Sequence, residues 1–501
     1  MKRLMLLLFV SSCASSYAVQ LESQINNEEF PRTDELNNNS DYGFAQVRFP
    51  KRAKRDLNTD EFFVNINIDG EDTRLNLTLT EKILMNNETP VWNAARNDST
   101  EEIEYTLYDE IMEQIGDFDF YQDYVNRAAI VVFHDDNSIE GWVNYYRFEE
   151  MPTASMTPET VEHIYDKKYL LKKYASFNHS QLLGTNDLQN IKVDHANGTR
   201  TPPEFVYPQI LIQLNPENPM KNETKTLRRM IAYWNAVDML FNVLENPKIK
   251  INVAGIIIPR DNYSDPWITS HKFLRRKDDL VVDPNEALEA LGQHFSKLRQ
   301  QFPDYNYDFL FSFTADTMDQ DILGITRFNV SCWDRQSRIA IVNINTIYSA
   351  SAHELGHIFS TEHDYGLRGC ARAPGIMSHI DKTRLEFLTW SVCSRDNIAG
   401  YFRRFDSQCL DNCPSTIKNC KRQLTRARNI CLMSRHQYSR QKLDCAKGVK
   451  CRSLDPSGPT DIFIPVPDCT IARRNSTGHP KSVCVNNRKM LYRLADDYCH
   501  I

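Results

Sequence analysis

Three imidazoles and a carboxylate fall within eleven residues, in the order His353, Glu354, His357 and His363. The chain holds 13 His in 501 residues, so His-Glu-x-x-His with a further His at one fixed position arises by chance about once in two thousand such chains. An α-helix turns once in about 3.6 residues, which places His353 and His357 one above the other on one face. Their rings can share a Zn²⁺ at about 2.0–2.1 Å. Glu354 projects beside them, placed to hold the water of such an ion as a general base. The run "TIYSASAHELGHIFS" has no Pro and only Gly356, so it supports a helix. The backbone must leave that helix between His357 and His363 to bring the third ring round. Three protein ligands keep the fourth zinc position open to water, which distinguishes a catalytic site from a structural one.

Asp364 follows the third His, and fourteen residues after His363 comes Met377 in "PGIMS". This set resembles the metzincin metalloproteases, whose long zinc motif is followed by a Met-turn. Asp directly after the third His is similar to the reprolysin, or adamalysin, branch that includes the ADAM and ADAMTS proteases and venom enzymes. One position departs from it: metzincins usually carry Gly three residues after the second His, and this chain has Ser360. A left-handed residue other than Gly costs on the order of 1 kcal/mol. The resemblance implies one catalytic Zn²⁺, Glu354 as the base, Met377 as an apolar floor, and Asp364 as an anchor for the turn after His363. It allows a structural Ca²⁺. It implies an edge strand in "LGITRFNVSC", where an extended peptide adds as a strand against Leu323, Gly324 and Ile325. It suggests the disulfides Cys332–Cys409 and Cys370–Cys393. The implied reaction is zinc-dependent hydrolysis of extracellular proteins, in the manner of invertebrate salivary or venom enzymes and toxins. The alternative is a catalytically silent relative that binds through its basic tail, a reading that Ser360 invites.

The elements that must position these groups read as an α/β (α+β) unit with a twisted mixed sheet. "VYPQILIQL", "KINVAGIII", "YDFLFSF" and "RIAIVNINT" are strand candidates, the last leading into the zinc helix. Leu227, Met230, Ile231, Trp234, Val237, Leu240, Phe241 and Leu244 follow helical spacing, as do Leu288, Leu291, Phe295 and Leu298. The alternation strand, helix, strand, helix, strand predicts right-handed crossovers. Farther upstream, Val64, Ile66 and Ile68 alternate, Asp69-Gly70 offers turn chemistry, and Leu75, Leu77 and Leu79 alternate again, predicting a hairpin.

The whole chain fits a secreted product. Lys2 and Arg3 precede the apolar run "LMLLLFV", and small Ser16 and Ala18 suit signal cleavage. No later run approaches the roughly twenty apolar residues of a membrane span. Ten N-x-S/T sequons, at Asn38, Asn76, Asn87, Asn97, Asn178, Asn197, Asn222, Asn262, Asn329 and Asn475, suit a glycoprotein. Cys13 leaves with the signal, and the other twelve cysteines all lie at or after Cys332. The upstream part must therefore fold on its apolar core, while the end relies on bridges. The expected organisation is a signal peptide at 1–18, an acidic, Asn-rich and β-rich prodomain at 19–202, a metalloprotease domain at 203–409, and a small cysteine-rich, disintegrin-like domain at 410–501. Residues 410–501 carry seventeen Lys and Arg against seven Asp and no Glu, a net +10, which leaves −17 for the rest of a chain at −7. That basic tail suits acidic glycans or anionic cell surfaces, and nucleic acid is an unsuitable partner for a secreted chain. Without a cysteine before Cys332, latency would need a cysteine-free prodomain filling the cleft. Processing is expected after Arg55 in "KRAKR" and again between about residues 195 and 205, where Pro202 and Pro203 keep the chain extended.

Overall fold

The computed structural model describes residues 42–48, 63–150, 166–174, 182–184, 201–214, 222–276, 279–301, 307–330 and 336–411 apart from 368, 372 and 379–387, with short segments between 414 and 500. The signal segment, "KRAKR", Asn38 and Cys332 lie outside the described residues.

One sheet of eight strands carries the expected α/β pattern. Its members in chain order are β1 (Val91–Arg96), β2 (Ile103–Leu107), β3 (Leu182–Gly184), β4 (Gln209–Gln213), β5 (Asn252–Pro259), β6 (Phe309–Thr314), β7 (Gly324–Thr326) and β8 (Ile339–Asn343). Across the sheet they run β3-β7-β8-β6-β4-β5-β1-β2. The central strands pair in parallel, while β7 is antiparallel to β8. β4, β6 and β8 are buried at every position, as expected of near-continuous apolar runs in a sheet covered on both faces. Helices α1 (Glu223–Phe241) and α2 (Pro284–Gln301) connect these strands. Asn222 starts α1 as its N-cap, accepting from the backbone N–H of Lys225 at 2.9 Å.

Two expectations change here. The strand read in "LGITRFNVSC" is only three residues long, and it is not a free edge. β3 runs parallel to its outer side, with Leu182 opposite Gly324, Leu183 opposite Ile325 and Gly184 opposite Thr326. At the other end of the sheet, the upstream hairpin β1–β2 continues it, β1 lying parallel to β5. Residues on both sides of position 203 therefore share one sheet.

A second sheet, of nine strands, is built wholly from residues 42–173. Its strands Phe63–Ile68 and Glu71–Arg74 form the predicted hairpin, and Asp69 (φ 53°) and Gly70 (φ 82°) both take the left-handed conformation of a type I′ turn. The second arm stops at Arg74, short of the predicted alternation. Leu75 is buried, but Leu79 is 57% exposed, because the chain has already left the hairpin to pair Thr78–Leu79 with Phe118–Asp123. The apolar core is continuous across the two sheets: Phe118, Phe120 and Trp142 from upstream pack in one cluster with Trp234, Phe311 and Ile358.

The hairpin β1–β2 is fastened to α2 by the hydroxyl of Tyr105, 2.7 Å from Nε2 of His294. Burial, reinforced by the nearby Lys297 charge, pushes His294 down to about 4. Its folded value lies below the unfolded one, so its contribution is present above about pH 6.5 and is lost as pH falls toward 4. Thermal melts across that window should show a loss of up to about 3 kcal/mol. In His294→Gln the slope should flatten; an unchanged slope would assign the pH dependence to other groups.

Candidate metal centre

β8 delivers the chain into α3 (Ser349–Ile358), all ten residues of which are buried. His353, Glu354 and His357 all face protein there. After one more residue the helix ends in a left-handed turn. Ser360 has φ 66°, its N–H donates to the His357 carbonyl at 3.0 Å, and the Thr361 N–H donates to the Gly356 carbonyl at 2.9 Å. These are the two bonds of a Schellman cap. Ser360 thus takes the conformation for which Gly is the usual choice, and it does not distort the site. Ser360→Gly should relieve about 1 kcal/mol of strain and raise the melting temperature with activity kept. A lower melting temperature would show that the Ser side chain matters more than its backbone.

The turn brings His363 back over the helix. Nε2 of His363 lies 3.2 Å from Nε2 of His353 and 3.2 Å from Nε2 of His357. His353 Nδ1 lies 2.9 Å from the Ile376 carbonyl, and His357 Nδ1 lies 2.9 Å from the Thr361 carbonyl. A carbonyl only accepts, so each of these rings carries its proton on Nδ1 and turns an Nε2 lone pair inward. Three buried Nε2 atoms then converge, and a single proton on His363 could bridge only one of the two contacts. A cation satisfies all three. Tetrahedral zinc with bonds of about 2.0–2.1 Å needs its nitrogens roughly 3.3 Å apart, close to the spacing found. The three-histidine cluster is thus compatible with zinc, and it is the one such group among the described residues.

The loop after the Met position braces this arrangement from below. The Ile376 carbonyl holds His353, and the Met377 carbonyl accepts from the Asp364 N–H at 2.9 Å. Met377 is fully buried under α3, where a Cβ at Gly356 would lie 2.9 Å from its sulfur and 3.0 Å from the Trp390 ring. Gly356 therefore allows the helix to settle onto the floor. Asp364 Oδ1 accepts from the hydroxyls of Ser391 (2.5 Å) and Ser394 (3.0 Å) at the start of α4 (Val392–Phe402), which Ser391 caps. Cys370 and Cys393 form a disulfide in this same region. Cys409 is also disulfide-bonded, with its partner outside the described residues.

Glu354 leans the other way, toward β7. A Cβ at Gly324 would come within 2.6 Å of its Oε1 and 3.1 Å of its Cδ. Of the three expected substrate-binding residues, Leu323 is partly buried, Gly324 faces Glu354, and Ile325 has its side chain in the core, so Ile325 offers only backbone. The spacing of residues gives no sign of the carbonyls of Thr361 and Ile376. Ser391 and Ser394 have the spacing of a helix cap, which was the available signal. Nor does spacing mark Tyr365, which is 54% exposed and stacks on His363 with ring centroids 5.5 Å apart.

Residues 227–364 match the Reprolysin_3 model, described as metallo-peptidase family M12B, reprolysin-like. The matched stretch runs from α1 through all three histidines to Asp364. The chain carries a reprolysin-type metallopeptidase domain. It is a zinc metalloendopeptidase, a hydrolase. Among its relatives is Venom metalloproteinase 2 of Eulophus pennicornis, 24% identical over 422 residues, which are 79% of this chain and 97% of that protein. Another is the Bombyx mori protein "A disintegrin and metalloproteinase with thrombospondin motifs like", 24% identical over 44% of this chain and 35% of that one. Venom metalloproteinase 1 of E. pennicornis is 25% identical over 37% of this chain and 45% of its own length. The reprolysin-type chain thus spans nearly all of the first relative and less than half of the other two.

No described helix is long and apolar enough to cross a membrane. Beyond Pro414 the tail is described only as strand segments, which do not test the expected further bridges.

Proposed function

We propose that this reprolysin-type chain is a secreted endopeptidase whose zinc is held by His353, His357 and His363, with Glu354 as general base and acid. The convergence of three buried Nε2 atoms, two of them oriented by carbonyls on Nδ1, carries this reading. A zinc ion there would acidify a water and polarise the scissile carbonyl. Glu354 takes a proton from the attacking water, the water oxygen bonds to the carbonyl carbon, and the C–N bond breaks. Glu354 returns the proton to the leaving amine, so the residue ends as it began. Asp364 holds the turn that presents His363, and Met377 supports the helix without touching the reacting atoms.

An extended peptide substrate would add by backbone pairing along β7, and together with secretion this reading takes extracellular proteins as the substrate class. The outer side of β7 is where β3 lies, so residues 182–184 block that pairing while they stay. This supports latency without a thiol. Thr201 is exposed just before Pro202, in keeping with a maturation cut there. The venom relatives and the N-terminal composition support secretion. The basic charge of 410–501 supports attachment to acidic glycans. Digestion of a peptide library by the matured protein tests the central reading. Cleavage should stop with a zinc chelator and return with added Zn²⁺; cleavage indifferent to the chelator would refute it.

A further inference from the structure

From Met230 to Phe241 every residue of α1 is buried, so this part of the helix has no solvent face. One flank belongs to the eight-stranded sheet, where Trp234 packs on Phe311 and Tyr233 on Phe313, with ring centroids 5.2 and 5.6 Å apart. The other flank is closed by upstream residues. Nε2 of Gln122 donates to Oδ1 of Asn235 (3.0 Å) and Oδ2 of Asp238 (3.2 Å), and Nδ2 of Asn235 donates to the carbonyl of Ile130 at 3.1 Å. Nδ2 of Asn242 returns a bond to Oε1 of Gln122 at 2.8 Å. Buried polar groups are costly to strip of such partners.

Two further contacts repeat the pattern on other elements. β1 pairs with β5, and the N–H of Val253 donates to the carbonyl of Leu84 at 2.6 Å. Tyr348, fully buried just before the zinc helix, packs on Trp142 at 5.6 Å and donates its hydroxyl to the Asn144 carbonyl at 3.1 Å. By contrast, β3 holds β7 by three residue pairs only.

We infer that residues 63–150 are a permanent part of the enzyme, so that a cut at Thr201 yields a two-chain complex and not a freed metallopeptidase domain. The inference goes beyond the proposed catalysis and does not depend on it. An interface that seals a helix, extends a sheet and completes a core resembles an obligate one, which does not come apart at working concentrations.

The test uses the full chain with Glu354→Ala, to prevent self-cleavage, and a recognition sequence for a site-specific protease inserted at Thr201. After complete cutting under native conditions, gel filtration at about micromolar concentration should give one peak holding both fragments. Hydrogen exchange at residues 230–241 should match that of the uncut chain. Two separate peaks, or loss of protection in α1 after the cut, would overturn the inference. Neither readout uses proteolysis by this chain, so failure of the protease reading would leave both intact.

Discussion

Glu354→Ala is expected to abolish peptide hydrolysis while leaving one zinc per chain. Removing a positioned general base costs about 10²–10⁴-fold, and here the same carboxylate would serve both proton transfers, which places the loss toward the upper end. Zinc should stay because its three imidazoles are oriented by other groups, the Ile376 and Thr361 carbonyls and the Ser360 turn. The measurement pairs metal analysis with turnover on one peptide. Loss of zinc from this variant would make Glu354 a structural residue and sink its role as base. His357→Ala, in contrast, should lose metal and activity together.

Gly324→Ala is expected to lower kcat by about 10²-fold, the size of effect that a misplacement of about 1 Å produces. The added methyl would sit 2.6 Å from Oε1 of Glu354, so the carboxylate must move. Nothing on the zinc side is touched, so zinc content should hold. KM should change less than kcat, because β7 keeps its backbone. A thermal comparison separates this from general damage: the substitution should cost stability beside Glu354 and almost none in a Glu354→Ala background. Wild-type kcat in Gly324→Ala would show that the carboxylate has room to spare.

The motif was legible because it is local. His353 and His357 need only a helix, and His363 needs only a turn, so spacing alone carries the chemistry. The strands of the eight-stranded sheet were legible for a similar reason, since runs such as "ILIQ" and "IAIVN" are buried on both faces and leave no polar alternation. α1 was legible only in part. Its apolar stripe marks one side, with Asp238 inside that stripe and Asn235 beside it, and spacing does not show what either polar group bonds. In the fold both are buried, because Gln122 and the Ile130 carbonyl, more than a hundred residues away, supply the missing partners.

The same division holds across the molecule. Sequence by itself carried the three-histidine spacing, the candidate for the base, the α/β order from 203 onward and the Asp69-Gly70 turn, all of which rest on neighbours a few positions apart. Tertiary structure alone decided that Gly324 leaves space for Glu354, that Ile325 turns into the core, that residues 182–184 cover β7, and that the upstream sheet shares the core of the metallopeptidase domain. Each of these depends on strand pairing or packing between distant segments. A strand's own residues set which side is apolar, but not which other strand will lie beside it.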